Sequence, residues 1–466
     1  MVNLAPLIAA GGYGCVFSIA LTPIVRDVFR SYNVVDRPGR RKVHTYPIPR
    51  IGGIPIAIAY VFALNALRGP TAGFPLHWLQ TLLSGTAIIF VTGLVDDFLN
   101  LKPRVKFGAQ IVAALVAYFN GLTLNHIGNT ALPVWISLPL TVFWLLLTTN
   151  ALNLIDGLDG LCGGMAFWAA LTFFAVGFTH GNHTLAFTAL PLCLVLLGFL
   201  AFNFNPATVF LGDSGALTLG FLLGCYGIIW SRHQITAGSL AVTLLALTVP
   251  LLDLGLSIVR RTLRKRPIFS ADRGHIHHML LQRGLSVRRA ALILYAVAIT
   301  GGLAGLLLSH TGRYPVLRMV IGIVLVILTF AGIRELRYPE FEVAGRLLFR
   351  GEFQRIFAAK LRMKQLAQAL ERAGSADERW LLLVAAAGEW NCVALKWISP
   401  GGRREEVLAS RTALWSLAVH LSETETIQLE GDSQSANLPP DLPELSAILN
   451  RSFPAEVRVL RQPAAS

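Results

Sequence analysis

The chain has 466 residues, of which 54% are hydrophobic and only 14% charged, against roughly 25% charged in a soluble domain; mean hydropathy is +0.58. That composition excludes a disordered chain, a secreted disulfide scaffold and an ordinary soluble enzyme, and it leaves a membrane protein with several spans. The net charge of +14, from 40 Lys and Arg against 26 Asp and Glu, is read as basic cytoplasmic loops obeying the positive-inside rule and not as a nucleic-acid surface.

A hydrocarbon core about 30 Å thick takes about 20 apolar residues per helix. Runs of that kind predict about eleven spans: 4–25, 51–67, 76–95, 107–120, 134–152, 162–179, 184–202, 211–229, 237–259, 290–309 and 316–333. With that count the arginines and lysines of loops 26–50, 102–106 and 260–289, together with Arg334 and Arg337, fall on one side. Arg68, Arg232 and Arg313 fall on the other. The asymmetry places the N-terminus outside and the basic loops in the cytoplasm of an inner-membrane protein. No basic segment precedes the first apolar run, so no cleavable signal is expected. The five cysteines show no CxxC spacing, and four sit in or beside apolar runs as small core residues.

Carboxylates bordering a bilayer are costly and mark functional-site candidates. The first cytoplasmic loop, VVDRPGRRKVHTYPIPRIGG, carries Asp36, Arg41, Lys42, His44 and Arg50; it is either plain positive-inside decoration or a binding loop. At the end of the third span, GLVDDFLNLKPRVKFGAQ places Asp96 and Asp97 side by side. Two adjacent carboxylates need a cation, a basic partner or a raised pKa, and a helix C-terminus disfavours them. Lys106 then opens the next span and suits an anionic substrate.

In TTNALNLIDGLDGLCGG, Asn150, Asn153, Asp156 and Asp159 recur every three residues, a spacing that shares a helix face. The glycines there loosen the backbone, and the oxygen donors suit a hard cation. In FNFNPATVFLGDSGALTLGF, Asp213 starts the eighth span, either as a helix N-cap or as a metal ligand. Finally, PLLDLGLSIVRRTLRKRPIFSADRGHIHH follows a basic run with His275, His277 and His278. Zinc is one reading of HxHH, but arginines with imidazoles suit phosphates better. Asp253, inside the ninth span, is either a buried partner of an arginine or a site residue.

Beyond the last span the character changes. Residues 350–373 have amphipathic helical periodicity, Leu381–Ala386 and Val393–Ile398 are strand-like, and 429–443 is polar and contains proline. Residues 1–336 are thus expected to form the membrane domain, and 337–466 a small cytoplasmic α/β domain. No motif in that second domain names a chemistry.

Taken together, the clusters resemble the polyprenyl-phosphate N-acetylhexosamine-1-phosphate transferase family (glycosyltransferase family 4). DRPxxRKxHxxxIPRxGG, DDFxNLKPxxKxxxQ and HIHH resemble its branch that starts O-antigen, enterobacterial common antigen and teichoic acid linkage units. The UDP-MurNAc-pentapeptide branch has a different first loop and histidine motif. Ala216, where GDSGS is usual, and Cys162, where alanine is common, depart from the pattern, and the tail 337–466 lies outside the resemblance.

The resemblance implies a bacterial inner-membrane enzyme passing N-acetylhexosamine-1-phosphate, with GlcNAc the commonest sugar, from UDP to polyprenyl phosphate. It implies Mg²⁺, for which Mn²⁺ may stand in, held by Asp213 with Asn153. Asp96 would be a base or positioning residue supported by Asp97, and Asp156 would join this catalytic set from the wall of the nucleotide-sugar pocket. Asn150 and Asp159 would line that pocket, Lys106 would meet the uridine or phosphate, and Arg273, His275, His277 and His278 would hold the diphosphate. His44 and Arg50 complete the substrate-binding set.

Expected partners are therefore UDP-N-acetylhexosamine, polyprenyl phosphate and membrane lipid, with a homodimer as an admitted assembly and no nucleic acid. The rival class is a transporter or flippase for a lipid-linked anion, which would place its charges near the bilayer midplane.

Overall fold

The computed structural model describes residues 4–32, 34–36, 47–67, 76–127, 130–233, 237–263, 274–311, 314–336, 363–390, 392–399, 402–410, 415–421, 425–431, 445 and 448–449. The chain divides into two compact units, Met1–Arg337 and Tyr338–Ser466.

The first unit is helical: α1 (Leu4–Ser31), α2 (Gly53–Ala66), α3 (Leu76–Leu99), α4 (Pro103–Phe119), α5 (Val134–Ile155), α6 (Leu161–Thr179), α7 (His183–Asn203), α8 (Gly212–His233), α9 (Ala237–Ala246), α10 (Thr248–Leu263), α11 (Ile276–Gln282), α12 (Val287–His310) and α13 (Pro315–Glu335). A two-residue hairpin, β1 (His126–Ile127) with β2 (Thr130–Ala131), joins α4 to α5. Among the described residues eight helices (α1, α3, α5, α6, α7, α8, α12 and α13) are long and apolar enough to cross a membrane. In lipid only a continuous helix or a closed barrel satisfies every backbone group. At 14 and 17 residues, α2 and α4 are shorter. The stretch 237–259, expected as one span, is two helices that part at Leu247. Pro250 lacks an N–H and its ring crowds the carbonyl four residues back, so the helix restarts just ahead of it.

Helix α8 is the centre of the bundle. Its apolar stretch is 94% buried, and α2, α3, α5, α6, α7 and α9 pack around it. A polar knot ties three of these elements together: the hydroxyls of Tyr60 and Tyr226 lie 2.6 Å apart, and that of Tyr226 donates to the Thr188 carbonyl at 2.9 Å. Trp144 Nε1 of α5 donates to the Gly224 carbonyl of α8 at 3.0 Å. By contrast α13 buries no side chain.

The second unit holds a helix over 363–372, the helix Ala376–Glu389 and a four-stranded antiparallel sheet. The strands are β3 (Cys392–Ser399), β4 (Gly402–Val407), β5 (Trp415–His420) and β6 (Thr426–Gly431), in the order β4-β3-β6-β5. Leu395 pairs with Leu429 and Trp397 with Ile427. Met363, Leu366, Leu370, Trp380, Leu383 and Ala387 share one core with Leu395, Ile427 and Leu429.

Val393–Ile398 is the strand its sequence suggests, but Leu381–Ala386 is helical. An N-terminal cap favours the helix: Ser375 Oγ accepts from the Glu378 N–H at 3.1 Å, and Glu378 Oε2 accepts from the N–H of Gly374, just before the cap, at 2.9 Å. Trp380, Leu383 and Ala387 then fall inward at helical spacing. The first residues of the polar stretch 429–443, Leu429 to Gly431, belong to β6, and 432–443 lie outside the described residues. Of the amphipathic run 350–373, residues 350–362 lie outside the described residues.

Close approach of α2 and α3 to the first turn of α8 rests on two glycines. A Cβ at Gly93 would lie 2.6 Å from the Asp213 carbonyl and the Ser214 Cα, and one at Gly53 would lie 2.4 Å from the Gly215 nitrogen. Overpacking of this kind costs about 1–3 kcal/mol. Gly93→Ala is therefore expected to lower the melting temperature in detergent, whereas Gly12→Ala, whose Cβ would meet nothing within 4 Å, should not. Equal melting of Gly93→Ala and wild type would refute a tight α3–α8 seam.

Candidate active site

The polar residues of the first unit gather where α3 and α5 end and α4 and α8 begin. The two carboxylates closing α3 divide the work. Asp97 accepts from the backbone N–H of Asp213 at 2.7 Å and of Ser214 at 3.0 Å, one with each oxygen. The negative charge thus sits on the first turn of α8, where helix N–H groups lack partners. Asp96 turns the other way. Its Oδ1 accepts from the Leu101 N–H at 2.7 Å, closing the tight connection into α4, and its Oδ2 lies 2.9 Å from Lys106 Nζ.

The same ammonium lies 2.9 Å from Asp213 Oδ2, so Lys106 bridges Asp96 and Asp213. Because Asp97 caps the turn, the Asp213 carboxylate is free of that duty and faces the side-chain cluster, which removes the N-cap alternative. Asn153 Nδ2 approaches Asp213 Oδ2 at 3.4 Å, and Arg50 Nη2 approaches Oδ1 at 3.5 Å. Arg50 is held by its backbone: residues 49–52 run beside Phe210, with N–H to O distances of 2.9 Å from Phe210 to Pro49 and from Gly52 to Phe210. Burial opposes charge on Arg50, but Asp213, Asp156 and Asp97 outweigh it and keep the guanidinium protonated.

Other members of the expected set have partners of their own. Asp156 ends α5 and faces the same group: burial, with repulsion from Asp213 and Asp97, raises its carboxyl to about 7 against the pull of Arg50. Asp159 instead accepts from Asn205 Nδ2 at 2.9 Å and the Ala207 N–H at 3.1 Å, pinning the α5–α6 turn to the α7–α8 connection. Asn150 donates to Gln110 Oε1 at 2.7 Å, joining α5 to α4.

His275, His277 and His278 lie together, with His275 and His277 stacked at 5.7 Å and 6° and His277 within 4.3 Å of His278. The His277 ring presses on Gly157, beside Asp156. Burial and the neighbouring His278 push its imidazolium down to about 3, so it is neutral at pH 7. His44 and Arg273 lie outside the described residues.

Two residues escaped the sequence analysis. Gln110 stood in the quoted motif but was given no role. Tyr295 donates to the Gly160 carbonyl, and as a lone tyrosine in an apolar helix it gave no signal.

Carboxylates, an ammonium, a guanidinium and imidazoles collected at one end of a helical membrane bundle make a membrane-embedded site suited to charged groups. The family model described as glycosyl transferase family 4 matches residues 79–231. A probable undecaprenyl-phosphate N-acetylglucosaminyl 1-phosphate transferase of Bacillus subtilis is 34% identical over 62% of this chain and 82% of its own. A decaprenyl-phosphate N-acetylglucosaminephosphotransferase of Mycobacterium tuberculosis is 33% identical, over 63% and 80%. A phospho-N-acetylmuramoyl-pentapeptide-transferase of Moorella thermoacetica is 31% identical, over 66% and 98%. The chain belongs to glycosyl transferase family 4.

The raised carboxyl of Asp156 has a signed consequence. A group whose folded pKa lies above its unfolded value stabilises the fold at low pH, and that contribution is lost as pH rises through the folded pKa. From the ordinary carboxyl value of 3.8 to about 7, the window is pH 4–7. Asp156→Asn, which carries no charge at any pH, should melt higher than wild type at pH 8, with the gain shrinking toward zero at pH 4. A gain independent of pH would show that the carboxyl is not raised.

Proposed function

We propose that this protein transfers N-acetylglucosamine-1-phosphate from UDP-GlcNAc to a polyprenyl phosphate. An oxygen of the lipid phosphate bonds to the β-phosphorus of the nucleotide sugar, the bond from that phosphorus to the bridging oxygen breaks, and UMP leaves with it. Polyprenyl diphosphate-linked sugar is the other product. The names of the curated relatives support the reaction and the sugar. The observation that carries the reading onto this chain is the bridge from Asp96 through Lys106 to Asp213 at one end of the bundle. A lipid phosphate sits at headgroup level, where such an end meets water.

The donor chemistry fits magnesium, with manganese as a substitute. Asp213, Asp96 and Asn153 offer oxygen atoms, which hard dications prefer. Among the described residues the carboxylates of Asp96 and Asp213 share the single ammonium of Lys106, and a bound dication would add positive charge between them. No three His, Cys, Asp or Glu among the described residues form a ready cage. Magnesium is commonly held by one or two carboxylates together with substrate phosphates. Once bound, the metal supplies charge neutralisation at the transferring phosphoryl group.

The chain's own groups do the rest. Asp96 orients the lipid phosphate and takes its proton, and Lys106 and Arg50 neutralise charge that builds on the diphosphate. Asp97 acts at one remove by fixing α8 and hence Asp213. Asp156 and Asn150 wall the nucleotide-sugar pocket, and the histidines meet the diphosphate. The excess of Lys and Arg in the loops at this end supports a cytoplasmic position for it by the positive-inside rule.

Membranes containing the protein should move label from UDP-[³H]GlcNAc into butanol-extractable lipid, dependent on polyprenyl phosphate and magnesium. Asp213→Asn should melt with wild type, because Asp97 caps the turn, while transfer falls about 10²–10³-fold, as for loss of one preorganised charge contact. No labelled lipid from the wild type would overturn the reaction. A stable Asp213→Asn with full turnover would remove Asp213 from the site.

A further inference from the structure

Asp253 lies in α10 among apolar neighbours, in the run PLLDLGL, and is wholly buried. Burying a carboxylate is costly unless hydrogen bonds replace its water. Both replacements come from residues 274 onward, on the far side of a long connection. Asp253 Oδ2 lies 2.9 Å from His275 Nδ1, and Oδ1 accepts from the Ile276 N–H at 2.7 Å. Neither of these bonds goes to an arginine, so the first expectation for this residue, a partner for the basic run, is not what these two contacts serve. The Arg260 guanidinium lies close to Gly274, next to the same histidine.

A carboxylate only accepts hydrogen bonds, so the bond to Asp253 puts the proton of His275 on Nδ1 and turns Nε2 to the opposite edge of the ring. The effect passes along the motif. His275 is 6% exposed and stacks parallel on His277, which is 1% exposed and rests on Gly157. His277 Nδ1 is buried without a hydrogen-bond partner among the described residues, a cost that a ligand group reaching the cluster would relieve.

We propose that Asp253 is a positioning residue for the nucleotide-sugar site: it clamps His275 by ring and backbone, and through the stacked rings holds the histidine motif against the Asp156–Gly157 turn. This rests on the transferase reading given above, in which those imidazoles meet the diphosphate. The carboxylate touches neither substrate and acts through His275.

The test uses full-length protein in detergent with Asp253→Asn, His275→Ala and the double variant Asp253→Asn/His275→Ala. Asparagine keeps the shape and removes the charge but offers one acceptor oxygen for two N–H donors, so one bond is lost without a cavity. Two readouts are taken. Diethylpyrocarbonate modification of His275, mapped by mass spectrometry, reports the clamp without reference to any substrate. Initial rates with UDP-GlcNAc and with polyprenyl phosphate varied in turn report the site.

Asp253→Asn should speed modification of His275 about tenfold or more. It should also raise KM for UDP-GlcNAc about 10–100-fold, as loss of a group that orients a ligating histidine does. KM for polyprenyl phosphate should hold, and the double variant should be no worse than His275→Ala alone. A merely structural role would lower kcat with both substrates and add to the His275 loss. That result, or wild-type reactivity of His275 in Asp253→Asn, would overturn the proposal. Release of His275 in a protein whose wild type transfers nothing would uphold the clamp and overturn the transferase reading instead.

Discussion

Everything at the polar end of this bundle depends on a carboxylate meeting the start of a helix. Asp97 takes the first two N–H groups of α8, and in doing so sets the height and rotation of the helix that six others surround. The start of a helix leaves N–H donors without intrahelical partners, and burying them unmet costs about 1–3 kcal/mol each. Asp97 removes that cost from another helix, so α3 and α8 are fixed to each other as well. The division between the adjacent aspartates follows. One is engaged by the backbone, and the other is left to share an ammonium with Asp213. Glycines at 53 and 93 permit the approach, since any Cβ would strike the turn being held.

The sequence shows clusters well and their internal assignments poorly. Asp96, Asp97, Asn153, Asp156, Asp213 and the histidines stand out because polar side chains at the ends of apolar runs have few structural reasons to be there. Which of them touch is a tertiary matter. Asn150, Asn153, Asp156 and Asp159 share a spacing, yet one meets Gln110, one Asp213, and one the connection at Asn205 and Ala207. The helix ends just where they diverge. Asp213 looked as suited to capping as to ligation because the rival cap comes from 116 positions earlier, and no local pattern reveals that. In the second unit the run Leu381–Ala386 fits strand or helix by periodicity, and the serine–glutamate cap before it tips the balance.

The placement of charge also separates two classes of membrane protein. A carrier that alternates its access keeps ionisable groups near the midplane on broken helices. This chain does have a broken helix, α9–α10, and its Asp253 is buried against His275, but the carboxylates, lysine and arginine that meet at Asp213 lie at one end of the bundle. The interior holds hydroxyls paired with each other and with carbonyls, such as Tyr60, Tyr226 and Thr188.

Helix α13 is apolar over most of its length and fully buries none of its side chains. A helix like this is held more by the solvent than by its neighbours. Lipid tails accept leucine, isoleucine and valine almost interchangeably, so its residues carry no packing code. What such a segment encodes is length. Chain on one side of it reaches the other only by crossing about 30 Å of hydrocarbon, and its identity matters as that of a spacer does: by how far it extends, and hardly at all by what it spells.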